Sequence, residues 1–192
     1  MNPEPMYVTS RKGHKTRILT PVEYDQFTIV MKNMRLKTIF EVLFYTGMRY
    51  SELQRLHAHQ EWIQPVRKNI HLPLDAQKKV KRRQLTRDIP IAPQIQNTLP
   101  YFFKNSAPAS GIAWTDWLRR TAWKAGFSDD LGFGAKMTRK TIECWMIVAG
   151  LLPNKIYKRQ GHTDIVSIEH YQNLAFTDGE VLEIKRRLAG WW

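Results

Sequence analysis

A single cysteine, Cys144, in 192 residues excludes an internal disulfide framework and any multi-cysteine zinc or iron–sulfur site. Acid is scarce: 17 Asp and Glu stand against 30 Lys and Arg, a formal charge of +13. Long apolar runs are missing too, the longest being the nine residues from Cys144 to Leu152, too short to cross a bilayer. The first residues, Met-Asn-Pro-Glu-Pro, lack the basic-then-apolar order of a leader, so a soluble intracellular protein is expected. What is present is 43% apolar and 11% aromatic residues, enough for one packed core at a length typical of one domain. The composition argues against a disordered chain or a neutral metabolic enzyme and toward a polyanionic partner.

The charge is clustered. Between Val66 and Arg87 lie Arg67, Lys68, Lys78, Lys79, Lys81, Arg82, Arg83 and Arg87, with Asp75 the only acid. A second cluster, Arg11, Lys12, Lys15 and Arg17, precedes the first helical pattern. Neither carries the bulky apolar stripe of a membrane-surface helix, so a phosphate backbone is the better partner and no membrane is expected. The alternative for either cluster alone is a solvated basic loop.

Residues 1–19, rich in Pro, Lys and Arg and without apolar period, read as a flexible basic arm. Helix begins after Thr20, where Thr20-Pro21-Val22-Glu23 supplies a hydroxyl cap, a proline at the first turn and an acid that reaches back. Val22, Phe27, Val30 and Met34 are expected on one buried face. Leu36 to Tyr45 is apolar on most sides, which predicts a central helix stopped by Gly47, and Ser51 with Gln54 resembles the cap of a short third helix. Ile70-His71-Leu72 and Leu85 to Ile91 read as the strands of a hairpin, the only β-structure expected. Helices resume over 94–103, 112–125 and 139–149, from Pro153, over 165–174, and after the capping box Thr177-Asp178-Gly179-Glu180. The fold class is therefore mostly α with a small antiparallel sheet.

A basic domain that cleaves and rejoins a phosphodiester without a metal needs three things: a protein nucleophile, guanidinium groups for the non-bridging oxygens, and an acid for the leaving oxygen. Candidates exist for each. Arg49 follows the helix-ending Tyr45-Thr46-Gly47-Met48, Arg139 opens a helix whose dipole favours phosphate, and His162 and Tyr171 follow at intervals of twenty-three and nine residues. The hairpin lysines supply a cation from the opposite side. Tyr45 and Tyr157 compete for the nucleophile role, and Tyr171 on its apolar-faced segment can also be a packing residue.

Thr46-Gly47-Met48-Arg49-Tyr50-Ser51-Glu52-Leu53 resembles the Thr-Gly-x-Arg-x-x-Glu-Leu box of the tyrosine recombinases, the phage-integrase family. Gly161-His162 followed by Tyr171 resembles that family's Leu-Gly-His to Tyr module. The resemblance runs from about Thr20 to the C-terminus, and it implies a tyrosine recombinase catalytic-domain fold over 20–192, with a C-terminal helix at 177–189. It further implies a site-specific DNA recombinase with Arg49 and Arg139 as phosphate clamps and Tyr171 as the nucleophile forming a 3′-phosphotyrosyl bond. His162 would donate to the same phosphate. Lys81, with Lys79 as the alternative, would protonate the leaving 5′-oxygen, because Lys81, Arg87 and Pro90 resemble the family's Lys…Arg-x-x-Pro spacing. Lys78, Lys79, Arg82, Arg83, Arg87 and Lys140 are expected to hold double-stranded DNA. The covalent intermediate conserves bond energy, so no cofactor, ATP or metal is implied.

Two departures stand out. The family's His-x-x-Arg-His appears as Lys136-Met137-Thr138-Arg139-Lys140, a replacement associated with integrases of archaeal spindle-shaped viruses. Lys136 either has a depressed pKa and acts as base or serves as a further phosphate clamp, the preferred reading, since a protonated Lys accepts no proton. The family's separate core-binding domain has no counterpart here, which suggests a fragment or a minimal integrase. Self-association on DNA through the C-terminal helix is expected by the same resemblance. The rivals are a type IB topoisomerase-like enzyme and a catalytically silent DNA-binding protein.

Overall fold

The computed structural model describes residues 4–10, 12–76, 86–161 and 175–191. It opens with a hairpin where a flexible arm was expected: β1 (Met6–Thr9) pairs antiparallel with β2 (Lys15–Ile18), Met6 opposite Ile18 and Val8 opposite Thr16. The sequence expectation fails here because the two strands are short and outwardly basic. Their burial lies in a few residues, Val8, Arg17 and Ile18, with Cys144 packed against Val8 and Ile18. Arg17 can enter the interior because Glu23 pairs with it.

Helix α1 (Pro21–Ile29) starts as its sequence dictates, Thr20 Oγ1 accepting from the Glu23 N–H at 3.2 Å and Glu23 accepting from the Thr20 N–H at 2.9 Å. Its buried face is Tyr24 and Phe27, while Val22 and Met34, expected inside, are exposed. Helix α2 (Met34–Thr46) is the central element, with Phe40, Val42, Leu43 and Phe44 sealed from solvent, and it packs against α4 (Thr98–Lys104) and α6 (Met137–Val148). Tyr24, Phe44 and Trp145 meet at its heart in tilted and edge-on contacts with ring centroids 4.6 and 5.0 Å apart, and the Trp145 indole donates to the Leu19 carbonyl at 2.9 Å.

Helix α3 (Tyr50–Ala58) follows at once. Its cap comes from Glu52 reaching back to the Arg49 N–H at 2.9 Å, one residue pair earlier than the expected Ser51–Gln54 box. A three-stranded antiparallel sheet then forms from β3 (Ile63–Gln64), β4 (Asn69–Leu72) and β5 (Arg87–Pro90), with Ile70 opposite Ile89. The expected hairpin is β4–β5, and β3 is an additional edge. Residues 77–85 between β4 and β5 lie outside the described set.

Helices α5 (Gly111–Lys124), α7 (Pro153–Gln160) and α8 (Asp178–Arg187) complete the fold. The expected helix over 165–174 lies outside the described residues. Helix α8, expected to dock on a neighbour, packs on its own chain: Ile184 and Leu188 are fully buried, and Arg187 grips Asp25 of α1 at 2.7 and 2.9 Å. No described helix is long and apolar enough to cross a membrane.

Candidate active site

The corner between α2 and α3 places the first arginine. Gly47 ends α2 with φ 66°, its N–H returning to the Leu43 carbonyl at 2.9 Å, and Thr46 Oγ1 accepts from the Met48 N–H at 3.3 Å. Met48 is buried beneath this turn, and Arg49 follows as the N-cap residue of α3. Its guanidinium meets the Glu52 carboxylate at 2.6 Å and retains 28% side-chain exposure. Arg49 is thus partly open to an incoming anion.

Arg139 comes from a different part of the chain, the first turn of α6, and is almost fully buried. It donates to the Gly47 carbonyl at 2.7 Å and also to the Gln160 carbonyl at the end of α7. Arg87, the first residue of β5, donates to the same Gln160 carbonyl at 3.1 Å and pairs with Glu52 at 2.6 Å. Three guanidiniums from α3, β5 and α6 therefore converge on one carboxylate and two helix-end carbonyls. Two glycines permit the approach. A Cβ on Gly47 would meet Gln160 Nε2 at 2.5 Å, and one on Gly161, whose φ is 64°, would meet the Arg87 guanidinium.

Electrostatics follow from this crowding. Burial acts to raise the Glu52 carboxyl, but Arg87, Arg139 and Arg49 together with the Arg49 N–H overcome it, and Glu52 is held below the usual carboxylate range. Burial, then the neighbouring charges of Arg49 and Arg87, push Arg139 down to about 9, still charged at neutral pH. Beside Arg139, Lys140 pairs with the buried Glu143 at 3.2 Å. Among the described residues, Arg49, Arg87 and Arg139 thus crowd around the buried carboxylate of Glu52. Fixed, preorganised guanidiniums of this kind can stabilise negative charge that builds on a phosphoryl group.

Arg49 and Arg139, the expected clamps, are thereby brought together. Arg87, expected to touch DNA, is corrected: it is 4% exposed and spent on Glu52 and Gln160, so it braces the cluster from within. Lys140 is half-buried against Glu143. Lys136 caps α6 and is exposed, lining an open groove of about 730 Å³ with His14, Lys15, Thr115 and Arg119. Lys78, Lys79, Lys81, Arg82, Arg83, His162 and Tyr171 lie outside the described residues. Glu52 is the functional residue that the sequence reading left without a role, although its spacing of three from Arg49 on a helix signals a pair. Among the described residues no cluster of His, Cys, Asp and Glu could hold a metal ion.

A model described as the phage integrase family matches residues 17–178. Among solved structures, the chain is similar to the Tn1549 transposon integrase in complex with a circular intermediate DNA, with TM-score 0.67 and 16% identity, covering 90% of this chain and 66% of that one. It is similar to XerA recombinase, with TM-score 0.65 and 17% identity over 90% of this chain and 65% of that one. It is also similar to XerH site-specific recombinase bound to its difH substrate, with TM-score 0.57 and 14% identity over 96% and 59%. At such identities the likeness establishes the fold, mostly helical with small antiparallel sheets. The chain spans less than two thirds of the length of each of these solved chains. A comparison with curated proteins finds no match.

Proposed function

The chain belongs to the phage integrase family, and from that premise we propose that it is a site-specific recombinase that cleaves and rejoins double-stranded DNA through a tyrosine. The observation that carries the reading is the convergence of Arg49 and Arg139 on the Gly47–Glu52 corner.

In this reading the Tyr171 phenol gives its proton to water as its oxygen attacks the scissile phosphorus, the bond from phosphorus to the 5′-oxygen breaks, and that oxygen takes a proton from Lys81 or, as the alternative, Lys79. Arg49, the half-open guanidinium, meets the non-bridging oxygens, and Arg139 holds the positive wall behind it, helped by the amino-terminal turn of α6. His162 donates to the same phosphate. Rejoining is the reverse attack by a 5′-hydroxyl of another strand, so bond energy is conserved in the phosphotyrosyl link. Lys136 acts as a further phosphate cation; its exposed place beside Lys15 and Arg119 supports a contact with DNA backbone. Lys136 in place of the family's histidine is also the basis for proposing kinship with integrases of archaeal spindle-shaped viruses, and with it a role in viral genome integration. The basic residues Lys78, Arg82 and Arg83 are proposed DNA contacts, and assembly on DNA is proposed to bring copies of the chain together.

The test uses a nicked duplex whose sequence has been selected from a randomised pool by binding to this chain. Denaturing gels should show a DNA-linked species with the wild type and none with Tyr171→Phe. An adduct that persists in Tyr171→Phe would refute the nucleophile assignment. Relaxation of supercoiled DNA by single bound molecules, without exchange between duplexes, would assign the topoisomerase-like activity instead.

A further inference from the structure

We propose that Arg159 and Trp191 form a positioning pair that ties the C-terminal end of the chain to the arginine cluster and holds Arg139 in register; the inference rests on the recombinase reading above. Arg159, one residue before Gln160, is 7% exposed. It donates to the Tyr45 carbonyl in the last turn of α2, and its guanidinium carbon lies 3.9 Å from the centre of the Trp191 ring. No described carboxylate pairs with it, and among the described residues its Nε has no hydrogen-bond partner. A carbonyl and an aromatic face are what the charge rests on, an arrangement in which a cation–π contact counts heavily because water is excluded.

The position of this pair gives it a consequence for chemistry. Tyr45 stands two residues before Gly47, whose carbonyl holds Arg139, and Arg159 is bonded directly to Gln160, whose carbonyl holds both Arg139 and Arg87. Arg159 therefore spans the ends of α2 and α7, the two turns that supply the acceptors for Arg139. Trp191 closes the outer face of this bridge. It is anchored by its indole N–H to Gln94 Oε1 at 3.3 Å, by an edge contact with Tyr45 at 6.3 Å, and by its backbone N–H to the Leu188 carbonyl beyond α8 at 3.1 Å. When the stack is lost, the ends of α2 and α7 can separate and the Gly47 and Gln160 carbonyls no longer fix Arg139. Arg159 and Trp191 touch no substrate atom, so the effect is on the rate of cleavage rather than on DNA affinity.

The experiment compares wild type, Trp191→Phe and Trp191→Leu on the nicked duplex, measuring single-turnover cleavage, DNA affinity and thermal unfolding. Phe and Leu both lose the hydrogen bond to Gln94, but only Phe keeps an aromatic face. Because misplacement of a catalytic group by about 1 Å costs up to about a hundredfold in rate, Trp191→Leu should cleave about tenfold to a hundredfold more slowly. Its affinity should stay within about threefold of wild type, since binding is shared among many phosphate contacts. Trp191→Phe should recover to within about threefold of the wild-type rate. Equal rates in Phe and Leu, or loss of affinity in parallel with rate, would overturn the positioning role while leaving the recombinase reading intact. If the wild type itself forms no adduct, the recombinase reading fails, and the inference falls with it.

Discussion

Replacing Glu52 by Gln keeps the shape of the side chain and removes the charge that holds the arginines together. Glu52 is fully buried, with Arg49 and Arg87 each at 2.6 Å and the Arg49 N–H at 2.9 Å. A glutamine offers one carbonyl oxygen where two carboxylate oxygens now accept, and it turns an NH₂ donor against one guanidinium. Arg87, with 3% side-chain exposure, is then left as a buried charge without its counterion. Breaking such a pair from one side costs about 3–5 kcal/mol. For a domain of this size about 2–4 °C accompanies each kcal/mol, so Glu52→Gln should lower the melting temperature by about 6–20 °C. Urea unfolding should show the same loss with little change in the denaturant slope. The double variant Glu52→Gln/Arg87→Met should regain much of that stability, because removing both buried charges is far less costly than removing one, but it should not regain cleavage, since Arg49 remains unanchored. Glu52 has a folded pKa below its unfolded value, so its contribution is fully present above the ordinary carboxylate range and is lost as pH falls through the folded value. The acid limb of the stability profile should therefore flatten in Glu52→Gln. A variant within about 0.5 kcal/mol of wild type at neutral pH would refute the idea that this carboxylate neutralises the cluster.

Gly47→Ala must place a Cβ at positive φ and 2.5 Å from Gln160 Nε2; it should cost at least about 1–2 kcal/mol in urea unfolding, and a neutral result would contradict the close approach. Gln160→Leu should do the opposite. Among the described residues both side-chain polar atoms of Gln160 are buried without hydrogen-bond partners, so an apolar residue of similar volume should stabilise the fold by about 1–2 kcal/mol, and a loss of stability would show that the amide is bonded in solution.

Features encoded locally were legible in the sequence, and features encoded by distant compensation were not. The capping boxes at Thr20 and Thr177 rest on side chains within three residues of the backbone groups they satisfy, the stop at Gly47 on a backbone conformation that glycine adopts readily, and all three form as read. The β4–β5 hairpin followed from β-prone residues flanking a charged stretch. The β1–β2 hairpin was missed because Arg17 reads as a solvent residue until Glu23 is seen to neutralise it inside. Arg87 misled for the same reason, its partner Glu52 lying thirty-five residues away on another element. At the site, motif order pointed to Arg49 and Arg139 before any geometry was known. The bracing by Glu52, Gln160 and Arg159 depends on which carbonyls two helix ends present to each other, and residue types alone do not encode that.

The central claim is the proposal that Arg49 meets one phosphoryl group in the transition state while Arg139 holds the positive wall behind it. Its most direct measurement is the single-turnover cleavage rate and the DNA dissociation constant, side by side, for Arg49→Lys and Arg139→Lys, since lysine keeps the charge and loses the planar fork. The account predicts rates lower by about 10²–10³ in each, with affinity nearly unchanged. Cleavage at the wild-type rate, or rate and affinity falling together by one common factor, would contradict it.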